Sequence, residues 1–130
     1  MIALIMAGGS GKRFWPISRE KYPKQFINII GKNSLINNTY KRISSVFERE
    51  NIYVVTLESQ KYLVQEHLPE ILEKNIICEP FARNTSACIA LSLDILREKH
   101  KQNEQLFVFP ADHHIEKDEE FIEMIRKSKK

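Results

Sequence analysis

The sequence predicts an α/β protein of a single domain, built on a parallel sheet with a ligand site beyond the carboxyl ends of its strands. Three observations point there: four short apolar runs, amphipathic stretches between them, and a glycine cluster directly after the first run. Strands that alternate with helices imply βαβ crossovers and a parallel sheet. In such open sheets ligands sit beyond the carboxyl ends of the strands.

The apolar runs Ile2–Met6, Ile52–Leu57, Ile76–Cys78 and Leu106–Phe109 are too short for helices, and each reads as a strand buried on both faces. After the first strand, Ser34 is a suitable cap for a helix whose Ile36, Tyr40, Ile43 and Phe47 share one face. Asn84 or Thr85 starts another, with Cys88, Leu91 and Ile95 inward and Lys99, His100 and Lys101 at its electronegative end. A last helix begins near Asp118, acids first and bases last.

With 130 residues, 42% hydrophobic and 28% charged, the chain is sized and composed like one globular domain. No repeat or linker divides it. A net charge of +3 is too mild for a nucleic-acid footprint, which calls for a clustered basic face with stacking aromatics. No stretch approaches the roughly 18 apolar residues of a membrane span, and "IALIM" is too short for a signal peptide, so the expectation is a cytoplasmic protein without a membrane partner. Cys78 and Cys88 fit no zinc or redox spacing and read as reduced core residues.

Three of the four glycines, Gly8, Gly9 and Gly11, stand in "MAGGSGKRFWP". Glycines let main-chain N–H groups approach a ligand and form an anion nest, and the Arg13 guanidinium supplies a planar fork that matches phosphate oxygens. Two familiar phosphate loops fail against the letters. A P-loop would need glycine at Met6, and the dinucleotide fingerprint would need it at Phe14. From Lys12 to Lys24 run Lys12, Arg13, Arg19, Lys21 and Lys24 against the single acid Glu20, while Pro16 and Pro23 suppress helix.

"GGSGKRFWPISREKYPKQF" resembles the signature of the sugar-1-phosphate nucleotidyltransferases, and its Trp-Pro-x-Ser-Arg-Glu-x-Tyr-Pro-Lys-Gln form resembles the mannose-1-phosphate guanylyltransferases in particular. "EPFARNTSACIAL", Glu79 to Leu91, is similar to that family's segment on the nucleoside side of the pocket. "VFPADHHI", Val108 to Ile115, is similar to its P-A-D-H motif. The sequence departs from the pattern at Ala82, where relatives often carry glycine, and at Cys88, where they often carry proline.

The resemblance implies a Rossmann-like, mostly parallel sheet with helices on both faces. It implies transfer of GMP from GTP to mannose 1-phosphate, giving GDP-mannose and pyrophosphate. By match to the motifs, Arg13 and Lys24 are the catalytic cations. Ala7, Gly8, Gly9, Gly11, Lys12, Glu79, Arg83, Asn84 and Thr85 join them in holding the nucleotide, and Asp112 holds Mg²⁺. His113 and His114 do not suggest a transition metal, since adjacent ring nitrogens converge poorly and no third ligand lies at a suitable spacing.

Relatives continue well past residue 130, so the expectation is a truncated, amino-terminal nucleotide-binding part of a catalytic domain, weakly active or inactive alone and open to homo-oligomer formation. The alternatives are a non-catalytic nucleotide-binding or regulatory module, and part of a bifunctional enzyme that also isomerises mannose 6-phosphate.

Overall fold

The computed structural model describes residues 1–9, 22–28, 31–82, 84–100 and 103–128. Its strands are β1 (Ile2–Met6), β2 (Ile52–Leu57), β3 (Ile76–Glu79) and β4 (Leu106–Pro110), and its helices are α1 (Leu35–Ile43), α2 (Lys61–His67), α3 (Thr85–Lys99) and α4 (Asp118–Lys127). Among the described residues the strands form one sheet in the order β3-β2-β1-β4, every neighbouring pair parallel.

Alternate residues of each strand enter two separate cores. Ala3, Ile5, Ile52, Val54 and Phe109 pack on one face with Ile36, Tyr40 and Ile43 of α1, Leu63 and Val64 of α2, and Ile125 of α4. Ile2, Leu4, Tyr53, Val55 and Ile77 pack on the other with Cys88 and Leu96 of α3. Helices therefore cover both faces, as expected of continuous apolar strands.

Local chemistry sets the helix ends. Ser34 caps α1 by accepting from the Asn37 N–H at 3.4 Å, and Asn84 caps α3 by accepting from the Ala87 N–H at 3.1 Å. The α1 stripe stops earlier than its spacing predicts. Ser44 and Ser45 donate back to the carbonyls of Tyr40 and Arg42, the helix ends at Ile43, and Phe47 reaches the core from the turn beyond.

Other expectations shift by a few residues. The buried stripe of α3 is Cys88, Ser92 and Leu96, while Leu91 and Ile95 are half-buried at its flank; Ser92 joins it because its hydroxyl donates to the Cys88 carbonyl at 2.8 Å. Strand β4 is not buried on both faces: Leu106, Phe107 and Val108 are half-buried, and among the described residues β4 is the edge strand beside β1. Helix α2 had no repeating stripe to announce it, having only Leu63 and Val64 buried in seven residues. Both cysteines are free, but only Cys88 is buried; Cys78 is half-buried. No helix among the described residues is long and apolar enough to cross a membrane.

Candidate active site

Strand order turns at β1, whose neighbours β2 and β4 lead the chain in opposite directions across the sheet. A crevice opens at such a point. Here it is a cleft of about 260 Å³. Met6, Gly8 and Gly9 line it at and after the end of β1, Glu79 and Ala82 at and after the end of β3, Thr85 and Cys88 from α3, and Pro110 and Asp112 at and after the end of β4. Segments from all three sequence motifs thus share one wall.

The glycines are explained by geometry. A Cβ on Gly8 would stand 3.1 Å from Glu79 Oε2, and Gly9 has φ +120°, a backbone angle that side-chain-bearing residues rarely adopt. Glu79 is buried at the cleft floor beside Cys88. Burial first, and then the Glu79 carboxylate, pushes the Cys88 thiol up to about 11. Both positions that depart from the family pattern, Ala82 and Cys88, face this cleft.

Beside the cleft lies a one-turn 3₁₀ helix, Lys24–Phe26, with Phe26 in the core and Lys24 reaching the lining residue Asp112. Lys24 Nζ lies 3.3 Å from Asp112 Oδ2, which joins the first and third motifs. Gln25 points the other way and is buried, its Nε2 donating to the Ala7 carbonyl at 2.8 Å and to Gln60 Oε1 at 3.4 Å. Gln60 Nε2 donates to the Gly9 carbonyl at 3.4 Å, and Thr56 Oγ1 to the Ala7 carbonyl at 3.3 Å. Before the turn, Tyr22 OH meets His67 Nε2 at 3.0 Å, while His67 Nδ1 meets Ser34 Oγ at 2.9 Å. Burial holds the imidazole below its usual range, against a smaller opposing pull from Glu66.

Of the sequence-derived candidates, Gly8, Gly9, Glu79, Thr85 and Asp112 line the cleft and Lys24 reaches its mouth through Asp112. Ala7 does not line it. Its N–H donates to the Val55 carbonyl and its own carbonyl accepts from Gln25 and Thr56, so its polar groups are turned inward. Asn84 is exposed and serves α3 as its cap. Gly11, Lys12, Arg13 and Arg83 lie outside the described residues. Gln25, Gln60 and Thr56 were missed as contributors; Gln25 adjoins Lys24 in the motif, but nothing in the spacing of Thr56 and Gln60 marks them.

Among the described residues no group of three or more His, Cys, Asp or Glu side chains could hold a metal ion. A protein-only zinc cage is therefore not formed by them. Asp112, at the mouth of the cleft, would suit a hard cation that takes its other ligands from phosphate and water.

A family model described as Nucleotidyl transferase matches residues 2–130. The chain is 42% identical over 129 residues to mannose-1-phosphate guanylyltransferase 2 of Escherichia coli O157:H7, covering 97% of this chain and 27% of that protein. It is 40% identical to a mannose-1-phosphate guanylyltransferase of Klebsiella pneumoniae, again over 97% of this chain and 27% of the relative. It thus spans about a quarter of the length of these curated relatives. Among solved structures, one described as a mannose-1-phosphate geranyltransferase from Thermus thermophilus superposes with a TM-score of 0.83 at 31% identity, over 97% of this chain and 36% of that one. A mannose-6-phosphate isomerase from Helicobacter pylori superposes at 0.72 with 26% identity, over 98% of this chain and 44% of that one. Matched by the family model from residue 2 to residue 130, the chain belongs to the nucleotidyl transferase family.

Proposed function

We propose that this chain forms the nucleotide-binding part of a cytoplasmic enzyme that transfers GMP from GTP to mannose 1-phosphate. The observation that carries the reading is the meeting of Lys24 and Asp112 at the mouth of a cleft floored by Gly8, Gly9 and Glu79. The names of the relatives support the guanine and mannose assignments.

In this reaction a phosphate oxygen of mannose 1-phosphate attacks the α-phosphorus of GTP. A new P–O bond forms, the bond from the α-phosphorus to the bridging oxygen breaks, and pyrophosphate departs with the electron pair. The nucleophile is already an anion, so the protein's work is alignment and charge neutralisation. Two unit charges about 4 Å apart interact by roughly 4 kcal/mol at an effective dielectric near 20, which makes cations between the two phosphates necessary. Lys24 is placed to follow the incoming sugar phosphate as a flexible point charge. Gly8 and Gly9 bring backbone close to the nucleotide, Thr85 opens α3 beside it, and Arg13 with Lys12 adds positive charge from the loop. Asp112 would hold Mg²⁺, which supplies charge neutralisation across the nucleotide phosphates.

Calorimetric titration with GTP, ATP and UTP, with and without Mg²⁺, tests this. GTP-selective, Mg²⁺-dependent binding that weakens in Lys24→Ala is expected; equal responses to all three nucleotides, or none, would overturn it. A second reading, part of a bifunctional protein that also isomerises mannose 6-phosphate, is favoured by the likeness to the Helicobacter pylori chain. Conversion of mannose 6-phosphate by the natural protein would establish it, and its absence would remove it.

A further inference from the structure

We infer that Gln25 and Gln60 are positioning residues, which hold the glycine loop so that its backbone donors face the cleft and which fix the distance of that loop from Lys24. The inference rests on the nucleotide reading of the cleft, and it names the groups that shape it.

Both side chains are almost fully buried, at 6% and 5% exposure, although a buried amide must satisfy its donors and acceptor to be tolerated. Their partners are the loop's own carbonyls. Gln25 Nε2 donates to Ala7 at 2.8 Å and to Gln60 Oε1 at 3.4 Å, and Gln60 Nε2 donates to Gly9 at 3.4 Å. A carbonyl oxygen only accepts, so the two ends of this chain of bonds dictate which way each amide faces.

The consequence follows from peptide geometry. In a trans peptide the C=O of one residue and the N–H of the next point in opposite directions. Holding the Ala7 carbonyl inward, with Thr56 as second donor at 3.3 Å, turns the Gly8 N–H the opposite way, toward the cleft that Gly8 lines. The Gly9 carbonyl is held by Gln60 Nε2 at 3.4 Å. Because Gln25 follows Lys24 within one 3₁₀ turn, a single amide couples the loop to the lysine. The backbone at Ala7–Gly9, which would face the nucleotide phosphates, and Lys24, which would meet the incoming sugar phosphate, are thus set at one separation.

The test uses Gln25→Met and Gln60→Met, which keep side-chain length but remove the polar ends. In ¹⁵N spectra of the full chain, the Gly8 and Gly9 amide signals are expected to move, while Leu4 in the sheet stays unchanged. With Mg²⁺ present, GTP affinity is expected to fall about tenfold and guanosine affinity by less than about twofold. Unmoved Gly8 and Gly9 signals in either variant that retains the sheet signals, or equal losses for GTP and guanosine, would overturn the proposal. Should the unaltered chain bind no nucleotide, the functional reading fails, and the amide signals alone decide whether the glutamines position the loop.

Discussion

The Lys24 ammonium stands 3.3 Å from the Asp112 carboxylate across 88 positions of sequence. Lys24 projects from the turn that follows the glycine loop, and Asp112 from just past the end of β4. Each is partly exposed, with side-chain exposures of 24% and 41%. An ion pair so open to water contributes about 1 kcal/mol or less to stability, so its position at the cleft mouth matters more than its strength.

Lys24→Ala is accordingly expected to change folding stability by no more than about 1 kcal/mol while weakening GTP binding at least about tenfold. Asp112→Asn is expected to keep binding GTP but lose the dependence on Mg²⁺. Denaturant midpoints and calorimetry on both variants check the two halves together. A large stability loss in Lys24→Ala would make the pair structural instead.

Gly8→Ala places a methyl 3.1 Å from Glu79 Oε2, on a carboxylate that is itself buried. Overpacking of this kind costs typically about 1–3 kcal/mol. Shortening the opposing side chain in Glu79→Ala/Gly8→Ala is expected to recover much of the loss that Gly8→Ala suffers in the native background. A double-mutant cycle by urea unfolding measures that coupling; strict additivity would mean the two positions do not press on each other.

The sheet was legible because a strand buried on both faces needs an unbroken apolar run, and "IALIM" and "IYVVTL" leave no other reading. Caps were legible for a similar reason: Ser34 and Asn84 are short polar residues at the doors of helical patterns. Helix α2 was not, since seven residues carry too few turns to display a stripe. The motifs marked Gly8, Gly9, Lys24 and Asp112, whose chemistry faces outward. Gln25, Thr56 and Gln60 escaped because their function is to satisfy carbonyls from beneath, a relation set by tertiary contact and not by spacing. Ala7 stands in the same motif, with its backbone N–H and carbonyl bonded within the protein.

Alkaline conditions should loosen the fold from the cleft side. Burial and then Glu79 raise the Cys88 thiol from 9.0 to about 11, and Cys78 is raised in the same direction by burial and then by Glu58. A raised folded value means that the stabilisation is complete below the unfolded value and disappears as pH rises through the folded one. Unfolding midpoints are therefore expected to fall from about pH 9 upward, and Cys88→Ala to show a smaller fall. The same shift predicts slow alkylation of Cys88 near neutrality, with Cys78, the more accessible thiol, modified first.

On the acid side the responsible group is His67, which burial holds below the ordinary 6.5. Its ring bridges Tyr22, at the start of the lysine turn, to Ser34, the cap of α1, and packs 5.4 Å from the Phe26 ring. A depressed folded value works in the opposite sense: stabilisation is present above the unfolded value and is lost as pH falls through the folded one. Urea midpoints are thus expected to decline as pH falls through about 6.5 and below, and His67→Gln to flatten that decline. Because the ring joins the lysine turn to the α1 cap, the Lys24 and Tyr22 amide signals should broaden or shift over the same interval. A decline that persists unchanged in His67→Gln would assign it to another group and leave the bridge without influence on the turn that presents Lys24.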